Sequence, residues 1–313
     1  MEGAAPSAPR VHSFAPSVTK RSHRIRRRRR GALQALLFAL VASNGVHAAE
    51  ARRLVTLGGD VTEIVYGLGG GADVVAADTS SVYPPEAAAL PKVGYQRQLA
   101  AEGVLALNPT LILASDEAGP PAAITQLRDA GVTVETIATD DSVAGATTKI
   151  RRIAELLGLR EAGERLIADM NAALAGAERE RARARSASPR VLFVYARGAG
   201  TVSAGGRSTA ADAMIHLAGG RNAIVEFDGF KPLTAEGAVA AAPDVVLMLS
   251  RGIESLGGAD AVWAQPGLAQ TPAAQNRRLV VMDDLYLLGF GPRTGAAVAE
   301  LTRQLHPELA TAQ

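Results

Sequence analysis

From Arg53 onward, short apolar runs alternate with longer stretches whose apolar positions recur at helical spacing. Residues 54–57, 73–77, 110–114 and 132–137 are continuous runs rich in Val, Ile, Leu and Ala. Short, largely apolar runs of this length, bounded by turn residues, predict buried strands. Residues 60–68, 99–107 and 120–130 lie between them and carry the helical period. The order then repeats, with strands at 191–196, 244–249 and 279–282 and helices near 209–218, 234–241 and 294–304. Strand–helix alternation predicts parallel sheets flanked by helices, so the chain reads as two α/β lobes.

The segment between the two sets has no strand-like run. Ile150, Ile153, Leu156, Leu157, Leu166, Ile167, Met170 and Leu174 fall at helical spacing, and Ser142 is placed to cap the start. Gly158 and Gly163 are candidate interruptions. The expected organisation is a leader over 1–48, an N-terminal α/β lobe over 52–141, a long rigid helical connector over 142–186 and a C-terminal α/β lobe over 190–313. A ligand cleft is expected between the lobes.

The leader changes the charge picture. Residues 26–30 are all arginine, an apolar stretch follows, and Val46-His47-Ala48 resembles a signal-peptidase site. A basic start, a short apolar core and a small-residue end are the marks of a secretory signal. About a dozen apolar residues are too few for a membrane-spanning helix. The whole chain carries a net charge of +2, but residues 1–48 hold nine of its 33 basic groups and one of its 31 acids. The remaining 24 basic and 30 acidic residues give −6. A mildly acidic mature protein gives no support to nucleic-acid or anionic-membrane binding. With no cysteine, disulfides and thiolate metal sites are ruled out.

Candidate chemistry centres on Tyr95 and Arg97, two residues apart after a proline-rich run. A guanidinium beside a phenol favours its anion, and a phenolate is a hard oxygen ligand suited to ferric iron. The same residues also fit a surface turn with a solvated arginine. Arg251 follows the strand 244–249, at the carboxyl edge where open parallel sheets hold ligands. Arg207 lies in the small-residue loop after 191–196, with Ser208 and Thr209 placed to cap the next helix. Phe230, Lys231 and Tyr286 are further cleft candidates that packing or surface exposure explains equally well. Gly67-Leu68-Gly69-Gly70-Gly71 closes a helix instead of opening one, so it reads as a turn and not a phosphate loop. Beyond the leader only His216 and His306 remain, too few for a His-rich metal cluster. No nucleophile motif or acid–base pair stands at a meaningful spacing.

Several stretches together resemble the haem-binding periplasmic component of bacterial ABC importers, within the cluster that also serves vitamin B12 and ferric siderophores. They are 57–69, Tyr83-Pro84-Pro85, the run 90–97 ending Val93-Gly94-Tyr95-Gln96-Arg97, 118–121, 204–214, 230–233 and 283–293. The resemblance extends over 52–307. It implies a periplasmic, monomeric carrier of ferric haem b with no enzymatic activity. Tyr95 would be the axial ligand of the haem iron, Arg97 its support, and Arg251 and Arg207 contacts of the ligand. The implied partners are an inner-membrane ABC permease with its cytoplasmic ATPase and, indirectly, an outer-membrane haem receptor. Glu63 matches an acidic permease-docking position. The second such position falls near His216, leaving Asp212 as the substitute. A carrier for cobalamin or a ferric siderophore is the sister reading, and a secreted α/β enzyme or sensor of the same fold is the third.

Overall fold

The computed structural model describes residues 52–197 and 202–309. The expected leader, 1–48, lies outside the described residues. The first sheet contains β1 (Leu54–Leu57), β2 (Val74–Ala77), β3 (Leu111–Ser115) and β4 (Thr133–Ile137). Its order is β2-β1-β3-β4, and every pairing is parallel. Helix α1 (Gly59–Gly67) follows β1, and α2 (Pro121–Asp129) joins β3 to β4.

The helical stretch comes as two helices, α3 (Val143–Leu157) and α4 (Arg160–Arg181). Ser142 caps α3 by accepting from the Gly145 N–H at 2.9 Å. Gly158 ends α3 in the left-handed region, φ 74°, where a side chain would be strained. Gly163 does not interrupt α4. A Cβ there would lie 2.6 Å from the Ala154 Cβ, so this glycine permits the close approach of the two helices. The expected single connector is therefore a helix pair with a sharp break.

The second sheet is mixed, and here the structure differs from the expected pair of parallel sheets. It contains β5 (Arg190–Tyr195), β6 (Ser203–Gly205), β7 (Arg221–Asn222), β8 (Phe230–Pro232), β9 (Val245–Leu249) and β10 (Leu279–Met282). The order is β10-β9-β5-β6-β8, with β7 also on β5. β10, β9, β5 and β7 pair in parallel, whereas β6 runs antiparallel to both β5 and β8. Helices α5 (Ala210–Leu217), α6 (Ser250–Leu256), α7 (Asp284–Leu288) and α8 (Thr294–Leu305) surround it.

Alternation along the strands divides the interior. Val191 and Phe193 of β5, with Val245 and Leu247 of β9, face one core; Leu192, Val194, Val246 and Met248 face another. Side chains two apart share a face, so each strand feeds both cores. The first of these cores is continuous from Leu54 and Ile64, through Ile150, Ile153 and Met170 of α3 and α4, to Met214 and Leu301. Both sheets thus lean on the helix pair through one body of buried apolar side chains. Full burial of each such Ile or Leu contributes about 1.5–3 kcal/mol. Among the described residues no helix is long and apolar enough to cross a membrane.

Candidate functional site

A cleft of about 930 Å³ opens where the carboxyl ends of the two sheets face each other. From the first sheet it is lined by Gly59 after β1, Ser80 after β2, Ser115 and Glu117 at the end of β3, and Thr139 after β4. From the second come Tyr195 and Arg197 at the end of β5, Arg251 after β9, and Asp284 after β10. Short loops at the carboxyl edge of parallel strands leave backbone and side chains converging on one crevice. The volume lies within the usual range for small-ligand pockets, about 300–1,000 Å³.

Tyr95 stands on the first wall, half-buried. Its loop is held from several sides. The Thr79 N–H donates to the Gly94 carbonyl at 2.9 Å, and the Gly119 N–H to the Gln96 carbonyl at 2.8 Å. Lys92 donates to the carbonyls of Ser81 and Ala87, both at 2.8 Å. Burial pushes the Lys92 ammonium below its ordinary value, partly offset by Asp78. The phenol is therefore presented from a fixed loop.

Arg97 is exposed on the same wall and is held by Glu117 in a close ion pair. That hydrogen bond is the main cause that raises its guanidinium above the ordinary value. A different arginine faces Tyr95. Arg197 reaches from the opposite wall, its guanidinium carbon 5.9 Å from the Tyr95 ring centre and 5.6 Å from that of Tyr195. Burial works against its charge, while a hydrogen bond with Tyr95 and the nearby Tyr195, Tyr95 and Asp284 raise it. Sequence reasoning passed over Arg197, although it follows β5 much as Arg251 follows β9. The strand-end rule that selected Arg251 selects it as well.

Arg251 lies on the cleft wall as expected, and its N–H donates to Asp284 at 3.4 Å. Burial pushes the Asp284 carboxyl up, countered by Arg251 and Arg197. Arg207 is not on the wall. Its guanidinium turns away to Asp228 at 3.3 Å, and its backbone bridges that residue. Of its neighbours, Ser203, Ser208, Thr209, Ala210 and Ala211 line the cleft. Thr209 caps α5 by accepting from the Asp212 N–H at 3.1 Å. Phe230 does line the cleft and is 50% exposed. His216 is an exposed α5 side chain bonded at 2.8 Å to the Asp212 carbonyl, outside the cleft lining.

Both expected docking acids, Glu63 and Asp212, have partners within the chain. Glu63 is 5% exposed, and both its oxygens accept from Arg293 at 2.8 Å. Its charge is matched within the chain by Arg293. Asp212 accepts from the Asn222 amide at 2.9 Å and the Ser208 N–H at 3.3 Å, which fastens the loop before α5. Among the described residues no group of three or more His, Asp or Glu is arranged to hold a metal ion.

Two α/β lobes, facing each other across a charged crevice at their strand ends, define a two-lobed ligand-binding protein. The chain belongs to the periplasmic binding protein family, whose sequence profile matches residues 54–286. It is similar to the periplasmic heme-binding protein RhuT from Roseiflexus sp. RS-1, solved in apo form: 46% identical, covering 83% of this chain and 99% of that one, TM-score 0.80. It is equally similar to the periplasmic heme-binding protein BhuT, solved in complex with two hemes: 46% identical, covering 82% and 99%, TM-score 0.78. A vitamin B12-binding protein of Photorhabdus laumondii is 24% identical over 88% of this chain and 94% of its own length.

Proposed function

We propose that the chain is an exported carrier that takes ferric haem into the interlobe cleft and delivers it to an inner-membrane ABC permease for iron uptake. The observation that carries this reading is Tyr95, a half-buried phenol on a cleft wall, set opposite an arginine. A tyrosine oxygen is one of the axial ligands that hold haem iron, and a neighbouring guanidinium favours its anionic form. The remaining work is binding: apolar and aromatic faces against the macrocycle, and Arg251 with Arg197 toward its carboxylates, while Arg97 supports the Tyr95 side of the cleft. Beyond coordination of the iron, no covalent bond of the ligand need be made or broken, so we read the chain as a binding protein and not an enzyme. The much higher identity to heme-binding relatives than to the vitamin B12-binding one supports haem over cobalamin.

On this reading residues 1–48 are the export signal, 52–141 and 190–313 are the two lobes, and 142–186 connects them. The mature protein works in the periplasm as a monomer.

The test is an absorption titration of the mature protein with ferric haem, run beside Tyr95→Phe. Saturable binding with a tyrosinate-type ferric spectrum is expected. The variant should lose that spectrum and bind at least about tenfold more weakly. An unchanged spectrum in the variant removes Tyr95 from the iron. Saturable binding of cobalamin without any of haem overturns the reading.

A further inference from the structure

The second wall of the cleft is built for more than an iron atom. Tyr195 closes β5 and Phe230 begins the edge strand β8, with their ring centres 5.7 Å apart and tilted by 52°. Phe230 is braced from behind by the fully buried Phe193, edge to face at 6.2 Å. It nonetheless stays half exposed, on the cleft lining. An aromatic side chain held rigid and left open to a cavity is a ready stacking face. Leu285 and Leu288 add aliphatic surface to the same cleft.

Two guanidiniums border this wall. Arg97 and Arg207 are consumed by Glu117 and Asp228, whereas neither Arg197 nor Arg251 is in a salt bridge among the described residues. Asp284 feels both charges but bonds the Arg251 backbone and not its side chain. A flat aromatic face next to two guanidiniums without a carboxylate partner, Arg197 being bonded only to the Tyr95 phenol, matches a planar ring system with carboxylates along one edge. Stacking and ion pairing of this kind need no metal. The metal-directed group, Tyr95, belongs to the other wall.

We propose that the cleft also binds the metal-free porphyrin dicarboxylate, through Tyr195, Phe230, Arg197 and Arg251, and that Tyr95 contributes only when iron is present. The proposal rests on the haem reading above and divides it into two parts. The second wall recognises the macrocycle and its carboxylates, and the first adds the bond to iron. The division predicts that the two parts fail separately.

The experiment is a fluorescence titration of the mature protein with protoporphyrin IX, paired with a ferric-haem titration of the same samples. The parent should bind protoporphyrin saturably. Tyr95→Phe should change that affinity by less than about threefold while weakening haem at least about tenfold. Phe230→Ala should weaken both ligands about tenfold, and Phe230→Trp, which keeps a stacking face, should restore most of the loss. Arg197→Gln should weaken protoporphyrin by about tenfold or more, with Arg197→Lys intermediate. Thermal unfolding of each variant checks the fold. Phe230 is half exposed at a sheet edge, so its transition should stay close to the parent's. Haem binding without protoporphyrin binding overturns the proposal and leaves the carrier reading standing. A Phe230→Ala protein that loses haem but keeps protoporphyrin overturns the assignment of the wall. If neither ligand binds, both readings fall.

Discussion

Charged side chains meet between the lobes in two places, and the two places are built oppositely. At the base of the cleft they are buried and satisfied. Lys149 of α3, its side chain 1% exposed, pairs closely with Asp60 of α1 and donates to the Gly289 carbonyl at 3.2 Å. Glu63 of α1 takes both donors of Arg293, whose guanidinium lies 3.6 Å from the Tyr83 ring centre and 4.9 Å from that of Tyr286. In the cleft Arg197 and Arg251 carry no such pairing. Buried charge survives only when paired and hydrogen-bonded, so the seam's charges are committed to holding the lobes. Charge left open on a cavity wall is available to a ligand. On the proposed haem reading, this difference, more than the number of arginines, separates structural from binding residues.

The comparison breaks most easily at Lys149. Replacing it with Met leaves Asp60 and the Gly289 carbonyl short of a donor beside a buried apolar side chain. Losing one partner of a buried pair costs about 3–5 kcal/mol. Asp60 borders the cleft and reaches some water, so the low end is expected, about 3 kcal/mol. For a domain of this size that is a fall of roughly 6–12 °C in Tm. The double variant Asp60→Asn/Lys149→Met should recover part of the loss. A neutral Lys149→Met in a thermal melt would mean that the seam is not held by its charges.

Glu63 offers the next largest effect and separates two roles. As a lobe-to-lobe tie, Glu63→Gln should destabilise the fold by about 2–3 kcal/mol, because Arg293 keeps a hydrogen-bonded partner but loses its counter-charge. Arg293 is 26% exposed, which tempers the cost. The stability loss should appear in the purified protein, with no permease present. A stable Glu63→Gln protein that binds haem normally yet fails in reconstituted transport would support the docking role.

The fold was largely legible because its strands are short apolar runs and its helices keep their period. The expected strand 279–282 and helix 294–304 fall within one residue of β10 and α8. β6 and β8 escaped because Ser203-Ala204-Gly205 and Phe230-Lys231-Pro232 have no apolar run. Their pairing is antiparallel and supplied by neighbouring strands. Gly163 was misread because glycine in a helical pattern signals either a break or a close approach, and only the facing Ala154 decides between them. The site was legible in half. Tyr95 and Arg251, expected from a motif and from a strand end, both stand on the cleft wall. The pairing of Glu63 with Arg293 was not legible because the partner stands 230 residues later, and no local pattern contains that distance. Arg207 was misassigned because Asp228, which draws it away, reaches it only through the tertiary fold.

Glu117 gives the smallest and sharpest test, since it sits in the cleft yet behaves like a seam residue toward Arg97. Both side chains are about half exposed, 45% and 50%. An exposed pair of this kind contributes about 0–1 kcal/mol to stability. Glu117→Gln should therefore leave Tm within about 2 °C of the parent. It removes one negative charge from the cleft lining and releases the Arg97 guanidinium toward an incoming carboxylate. If cleft charge is kept for the ligand, haem affinity should rise by about two- to threefold at low ionic strength, and the gain should shrink as salt screens it. The double variant Arg97→Gln/Glu117→Gln should lose the gain, because the charge released by the first change is then absent. If Glu117→Gln instead weakens haem binding as much as Arg97→Gln does, the pair acts as one positioned unit. The contrast between committed and available charge would then run through the cleft itself, with Arg97 on the committed side.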